Sequence, residues 1–265
     1  MTLEGKLAHL DSLYEQNKID EAEKFLLDEV NDETNSRMIR ISLNNELMGI
    51  FRNKGNKDAC MKQLTQQLIW IADAGEMLDP VSEATLYLNI ANAYQAFDMA
   101  EESYDILCKV EDRYKSNSGT EPYHMASLYN NKAVVLMKLK DLDQAEVYFK
   151  MALKILETLR ESEDEIAVTY QNLSSIYSAK GRYQLALDMT RRGEELLQAA
   201  GWGVSYHAGA IANSTAMIYH AMGDYENALA YFKKSANIIL QVYGDCGLYR
   251  SILESMEAVK AKMGK

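Results

Sequence analysis

A small residue recurs along the chain at a spacing of 38 to 43 residues, and this spacing limits the possible folds more than any other feature. These positions, called the markers below, are Ala22, Cys60, Ser103, Ala145, Ala186 and Ala228. Large side chains stand nine residues before them, namely Leu13, Phe51, Tyr94, Leu136, Tyr177 and Tyr219. Mostly small ones stand twelve before, namely Leu10, Met48, Ala91, Ala133, Ser174 and Ala216. A period of about 40 residues predicts stacked, repeated units.

Each period contains two helical patterns separated by a turn. In the fifth period, Tyr170, Leu173 and Tyr177 share one helical face, Gly181 breaks the helix, and a second apolar face follows. The turn positions of the six periods are Asn17, Gly55, Asp98, Lys140, Gly181 and Gly223. A pair of short amphipathic helices cannot bury its own apolar faces, so the sequence predicts a solenoid in which each hairpin packs on its neighbours.

Two prolines support the same phase. Asp79-Pro80 and Glu121-Pro122 lie one period apart, each ahead of a predicted first helix. Asp is a good helix cap, and proline suits the first helical position. Both pairs therefore predict repeat boundaries.

This pattern resembles the tetratricopeptide repeat family, and its spacing is similar to the 42-residue variety found in kinesin light chains. The match is closest around Ala145, Ala186 and Ala228, while Lys132, Gln67 and Gly193 depart from it. The resemblance implies an all-α, right-handed α-solenoid forming a single domain over residues 1–265. We expect hairpin units at approximately 3–36, 37–78, 79–121, 122–162, 163–203 and 204–243, followed by a capping helix at 247–263. The capping helix would use one apolar face, made of Leu248, Ile252, Met256, Val259 and Met263.

The composition argues against several functions. A formal net charge of -11 disfavours general nucleic-acid binding, which requires Lys and Arg to neutralise phosphates. We expect no membrane segment, no secretory signal and a cytoplasmic location. Three cysteines without a CxxC pair and four scattered histidines predict no metal site. No motif assembles catalytic groups, so we expect neither an enzyme nor a cofactor.

The first helices carry a row of amide side chains, and the resemblance implies that these helices line the concave face. The row comprises Asn45, Asn89, Asn92, Asn130, Asn131, Gln171, Asn172 and Asn213. Asn is about 0.6 kcal/mol worse than Ala inside a helix, so its repetition needs a reason. The amides could bond to the neighbouring hairpin, or they could hold a peptide backbone as the Asn ladder of kinesin light chain does. In the second case Gln171, His220 and Arg52 would tune selectivity.

The predicted function is non-catalytic binding of a protein or an extended peptide segment. One alternative is a receptor or regulator for a short signalling peptide, and another is a self-assembling module. The oligomeric state stays open, with the monomer slightly favoured. Trp202 is expected to fill the gap between adjacent hairpins.

Overall fold

The computed structural model describes residues 2–117 and 119–263, apart from the side chain of Glu76. In this part of the chain the structure has thirteen α-helices, one short 3-10 helix at Gly75–Met77 and no strand. The helices are α1 Leu3–Glu15, α2 Ile19–Asn31, α3 Arg37–Asn53, α4 Lys57–Ala74, α5 Pro80–Ala96, α6 Ala100–Ser116, α7 Pro122–Lys138, α8 Leu142–Leu156, α9 Glu163–Ala179, α10 Tyr183–Ala199, α11 Tyr206–Met222, α12 Tyr225–Tyr243 and α13 Gly247–Met263. The chain therefore has the all-α repeat fold that the sequence predicts.

The helices fall into two compact units, Met1–Thr120 and Glu121–Lys265. Unit 1 contains the hairpins α1/α2, α3/α4 and α5/α6. Unit 2 contains α7/α8, α9/α10 and α11/α12, followed by α13. The division coincides with the predicted boundary between the third and fourth repeats. One continuous domain over 1–265 stays a prediction.

The marker positions are the tightest part of each hairpin. All six marker side chains are 0% exposed, whether the residue is Ala, Ser or Cys. In α6 the Ser103 hydroxyl donates to the Ala91 carbonyl at 3.0 Å, and in α4 the Cys60 thiol donates to the Met48 carbonyl at 3.6 Å. Both acceptors lie twelve residues before their marker, so the small side chain is pressed against the backbone of the first helix.

All six hairpin turns share one backbone geometry. Each predicted turn residue has a positive φ, between 56° and 80°. The amide that follows it donates to the carbonyl of the large residue nine before the marker, at 2.8 to 3.0 Å, as Arg182 does to Tyr177. This is the Schellman arrangement, which satisfies the last carbonyls of the first helix. Asn17, Asp98 and Lys140 adopt it without being glycine.

The two predicted proline boundaries are confirmed as helix starts. Pro80 and Pro122 begin α5 and α7. The Asp79 carboxylate accepts from the amides of Val81 and Ser82, at 3.1 and 3.0 Å, whereas the Glu121 side chain makes no capping bond. The two boundary residues therefore occupy equivalent positions, but only Asp79 caps its helix with its side chain.

Helix α13 packs on α12, and the predicted apolar face is only partly correct. Ile252 and Val259 are buried in a cluster with Phe232. Leu248 and Met263 are 36% and 45% exposed, because they lie at the two ends of α13, beyond the central turns that contact its neighbour. The central turns of α13 therefore cover the apolar side chains of α12.

The expectation for Trp202 is wrong. Its side chain is 43% exposed. Helix α10 ends in the same Schellman geometry, with Gly201 at φ 81° and the Trp202 amide donating to the Leu197 carbonyl at 2.7 Å. The backbone of this residue therefore closes the helix, and the turn leaves the indole at the surface.

Candidate functional site

The predicted amides lie on the first helices, at α3 and α5 in unit 1 and at α7, α9 and α11 in unit 2. We call the surface formed by these residues the first-helix face of each unit. All eight amide side chains, together with Arg52 and His220, are half-buried rather than enclosed or fully exposed. This degree of burial suits a surface that keeps its polar groups within reach of a ligand.

In unit 1 one amide pair connects successive repeats. The Asn89 amide nitrogen donates to the Asn45 amide oxygen at 3.0 Å, which joins α5 to α3. The side chain of Asn92, one turn further along α5, has no hydrogen-bond partner among the described residues. Asn45 and Asn89 thus have a structural use within the fold.

In unit 2 two further contacts connect the first helices. The Thr169 hydroxyl of α9 lies 3.2 Å from the Asn130 amide oxygen of α7 and 2.7 Å from the Glu165 carbonyl, so its one proton is shared between two acceptors. The Gln171 amide nitrogen of α9 donates to the Ser214 hydroxyl of α11, also at 3.2 Å. The structural interpretation of the amide row therefore holds for Asn130 and Gln171 as well.

Three amides of unit 2 are different. Asn131, Asn172 and Asn213 are half-buried, and in the described part of the chain their side chains make no hydrogen bond. Each lies inside a helix, where Asn is less favourable than Ala. Their donors and acceptors remain available to a ligand.

A cavity of about 390 Å³ opens beside Asn213, between α9 and α11. Its floor is made of the small polar side chains of Ser174, Ser175 and Ser178, and Met217 lines its apolar side. The Met217 side chain is 52% exposed. Sequence reasoning missed this residue, because a methionine at a helical spacing usually indicates core.

The two residues expected to tune selectivity have different surroundings. The His220 ring lies 5.8 Å from the Tyr225 ring, and its Nε2 is 3.3 Å from Lys262 Nζ on α13. Arg52 lines two cavities of unit 1 and forms no salt bridge with a described residue. His220 therefore lies beside the capping helix, and Arg52 beside open space.

Burial and nearby charges raise the pKa of two side chains in unit 1, Glu46 and Tyr14. Burial raises the pKa of Glu46, and the nearby Asp11 carboxylate adds to the increase, while the Asn45 amide and the Arg52 guanidinium act in the opposite direction. Burial, aided by Glu46 and Asp11, raises the pKa of Tyr14 to about 12. Glu46 therefore has the Asp11 carboxylate and the Arg52 guanidinium as charged neighbours.

No helix among the described residues is both long and apolar enough to cross a membrane. In the same part of the chain, no group of three or more His, Cys, Asp or Glu side chains could hold a metal ion.

Comparison with known families agrees with this geometry. Two family models, both described as tetratricopeptide repeat, match residues 124–199 and 213–242. Unit 2 therefore contains tetratricopeptide repeats. Both matches fall in unit 2, where the sequence pattern is clearest, and they cover the hairpins that carry Asn131, Asn172 and Asn213. No curated protein matches the sequence significantly.

Solved structures share the repeat fold at low sequence identity. BtubC from P. vanneervenii is 19% identical, with 93% of this chain and 94% of that chain covered and a TM-score of 0.65. A kinesin light chain of repeated units from Podosopora anserina is 17% identical over 77% of this chain and 97% of that chain, with a TM-score of 0.62.

A third similar structure is PlcR of Bacillus thuringiensis, which was solved in complex with the peptide PapR7 and DNA. It is 14% identical, with 83% of this chain and 74% of that chain covered and a TM-score of 0.60. At these identities, the likeness of the three structures to this chain shows a shared fold and nothing more.

Proposed function

We propose that this tetratricopeptide repeat protein is a non-catalytic scaffold that binds an extended peptide segment of a partner protein. The ligand would lie along the first-helix face of unit 2. One observation carries the proposal: Asn131, Asn172 and Asn213 occupy mid-helix positions, are half-buried, and have no hydrogen-bond partner among the described residues. Their helical cost is not offset by a hydrogen bond to a described residue, and hydrogen bonds to a ligand would offset it.

An amide side chain suits a peptide backbone. It offers a carbonyl oxygen and an NH₂ group at fixed reach, which complement the N–H and C=O of an extended chain. Such pairing does not depend on the ligand's side chains, so the amides would provide affinity. The cavity beside Asn213 would accept a ligand side chain and provide selectivity through the exposed Met217. The bonded amides Asn130 and Gln171 would hold the helices in register.

A receptor that changes shape on binding a short signalling peptide is the second candidate. PlcR, which has a similar fold, was solved with a bound peptide. Small-angle scattering distinguishes the candidates, since a receptor should become more or less compact on adding peptide and a scaffold should not. Sedimentation at high protein concentration tests the self-assembling alternative. A cytoplasmic location, a monomeric state and the lack of nucleic-acid binding remain predictions from the sequence.

The test is a displayed library of random dodecapeptides, selected against the immobilised full chain. The tightest binder is then labelled and measured by fluorescence anisotropy against the double variant Asn131→Ala/Asn172→Ala. Losing hydrogen bonds from two amides should weaken binding at least about tenfold. Circular dichroism should show unchanged helicity and melting temperature, because neither side chain bonds within the described fold.

The matched control is Asn237→Ala/Gln241→Ala, which removes two exposed amides from α12 and should bind like the wild type. A library that yields no binder to the wild type contradicts the proposal. So does a double variant that unfolds, since Asn131 and Asn172 would then be structural.

A further inference from the structure

The cavity beside Asn213 in unit 2 has a lining without charge. Eight residues of α9 and α11 form this lining, and four of them are serines. None of the eight is acidic or basic, although 25% of the residues in the chain are charged. The volume of about 390 Å³ is at the lower end of the range for ligand sites, so the cavity suits a single side chain of a bound peptide.

Three of the four serine hydroxyls already donate their protons within the fold. Ser174 and Ser175 both donate to the Gln171 carbonyl, at 2.6 and 3.2 Å, and Ser214 donates to the Ala210 carbonyl at 3.0 Å. Bonds of this kind to the preceding turn of the helix satisfy the hydroxyl proton. An apolar group can therefore cover these three side chains at a lower cost than it could cover hydroxyls whose protons have no partner.

The rest of the lining is mainly apolar. Met217 and Ala179 contribute exposed apolar side chains, and Ile218 contributes a buried one. Methionine has an unbranched, flexible side chain that adapts its shape to an apolar neighbour. A ligand side chain that covered Met217 would remove apolar area from water, which is the main favourable term in association.

The charged groups next in sequence to the lining have other contacts. Lys180, which follows the last lining residue of α9, binds Asp143 and Glu146 at 2.7 and 2.8 Å. One turn further along α11, the His220 Nε2 lies 3.3 Å from Lys262 Nζ, and neither of these residues lines the cavity. A charged side chain that entered the cavity would therefore lose water without meeting an opposite charge on the lining.

We propose that this cavity selects an uncharged, apolar side chain of the bound segment, such as that of leucine or methionine. The inference rests on the proposed function, since it assumes that a peptide lies along the first-helix face of unit 2. It adds the chemical class of the ligand residue that lies beside Asn213. It also identifies Ser175, Ala179 and Met217 as the residues that determine this preference.

The first test changes the charge of the cavity. The tightest dodecapeptide selected against the wild type is prepared with lysine and with glutamate at each position in turn. At one apolar position both replacements should weaken binding at least about tenfold by fluorescence anisotropy, because the new charge is desolvated without a partner. Ser175→Asp should strengthen binding of that lysine peptide at least about tenfold and leave the glutamate peptide weak. Ser251→Asp, exposed on α13, is the matched control and should leave both peptides weak.

The second test fills the cavity. Ala179 is the last residue of α9 and is exposed, so Ala179→Leu should leave the melting temperature unchanged. This variant should weaken binding of the selected peptide at least about tenfold, but less than about twofold when the peptide carries alanine at the sensitive position. Ala96→Leu, at the exposed end of α5, is the matched control and should bind like the wild type.

The outcomes separate this inference from the proposed function. If a peptide that needs Asn131 and Asn172 tolerates lysine and glutamate at every position, or binds Ser175→Asp and Ala179→Leu like the wild type, the inference fails alone. An acidic residue at the sensitive position, with binding lost in Lys262→Met, also overturns the apolar class and leaves the proposed function in place. If the wild type yields no binder, the proposed function fails and the inference fails with it.

Discussion

Units 1 and 2 build the same hairpin from sequences of different clarity. The family models match only within unit 2, yet the markers of unit 1 are as fully buried as those of unit 2. Unit 1 uses Cys60 and Ser103 as markers where unit 2 uses alanine. The comparison shows that the hairpin needs a small side chain at the marker and a left-handed backbone at the turn residue. Each of these two positions tolerates several residue types.

The first-helix faces of the two units differ more than their cores. Unit 2 presents amides and hydroxyls, and its unpartnered groups are neutral. Unit 1 presents the charges of Glu46 and Arg52 around Gly49, and its Asn45 and Asn89 bond to each other. Positions that face neighbouring hairpins are restricted by packing, whereas positions on the open face are free to differ. Selectivity can therefore diverge while the fold does not.

An ion-pair arrangement recurs in both units at equivalent positions. Lys180, just before the turn glycine, binds Asp143 at 2.7 Å and Glu146 at 2.8 Å in the preceding hairpin. Lys54 binds Asp20 and Glu23 of unit 1 in the same way. Each lysine thus ties two successive hairpins together.

The largest expected effect tests whether the two cores are equally well packed. Phe149 of α8 and Leu107 of α6 lie four residues after their markers and are both 0% exposed. Truncation to alanine should reduce the free energy of unfolding by about 3–5 kcal/mol for Phe149→Ala and about 2–5 kcal/mol for Leu107→Ala. Urea unfolding followed by circular dichroism measures both. A cost below about 1 kcal/mol for Leu107→Ala would show that unit 1 is loosely packed and would break the comparison.

Two helix-interior glycines should respond to alanine with opposite signs. A Cβ at Gly209 of α11 would lie 2.6 Å from Ile239 Cδ1, whereas one at Gly49 of α3 would meet nothing within 4 Å. Gly209→Ala should therefore destabilise the protein by about 1–3 kcal/mol. Gly49→Ala should stabilise it by up to about 1 kcal/mol. Melting temperatures decide the signs, and a destabilising Gly49→Ala would mean that packing requires this glycine.

The recurring lysine should give the smallest effect, and the effect should depend on pH. Burial tends to raise the pKa of Glu146, but hydrogen bonds from Lys150, Lys180 and Tyr177 outweigh it and lower the pKa to about 2. Because the folded pKa is below the ordinary value of 4.5, the stabilisation is complete above that value and is lost as the pH falls towards 2. Lys180→Met should cost under about 1 kcal/mol at neutral pH.

This cost should shrink between pH 4.5 and 2, as measured by urea unfolding at a series of pH values. Lys54→Met should act in the same direction in unit 1, since its bond lowers the pKa of Asp20, but less strongly because both groups are solvent-exposed. A penalty for Lys180→Met that does not change over this pH range would contradict the account.

The repeat fold could be predicted because its signals are local and periodic. The markers, the turn residues and the two prolines each fix the phase independently, and all occupy the expected positions. The exposure of the Trp202 side chain could not be predicted, because the direction of a side chain that follows a helix end depends on the turn geometry, here at Gly201. A buried polar pair could not be predicted either. The side-chain amide nitrogen of Asn44 donates to Gln67 Oε1 at 2.7 Å, and this bond explains why Gln67 occupies a position where the repeat usually has a small residue.

The sequence alone could locate the candidate site, but it could not separate the amides that bond within the fold from those that are available to a ligand. Spacing places the amides on the first helices, but it does not show which are used within the fold. Asn130 and Asn131 are adjacent in sequence, yet only Asn130 bonds to a neighbouring helix. The open space around Gly49 could not be predicted either, because a single glycine in a helical pattern carries no sign of what surrounds it.

The most direct measurement is nuclear magnetic resonance of the side-chain amides during titration with the peptide selected against the wild type. The account predicts saturable shifts of the Asn131 and Asn172 NH₂ signals, with the same affinity as anisotropy gives, and no shift of the Asn237 signal on α12. Shifts at Asn237 with unchanged Asn131 and Asn172 signals would place the ligand on another surface and contradict the account.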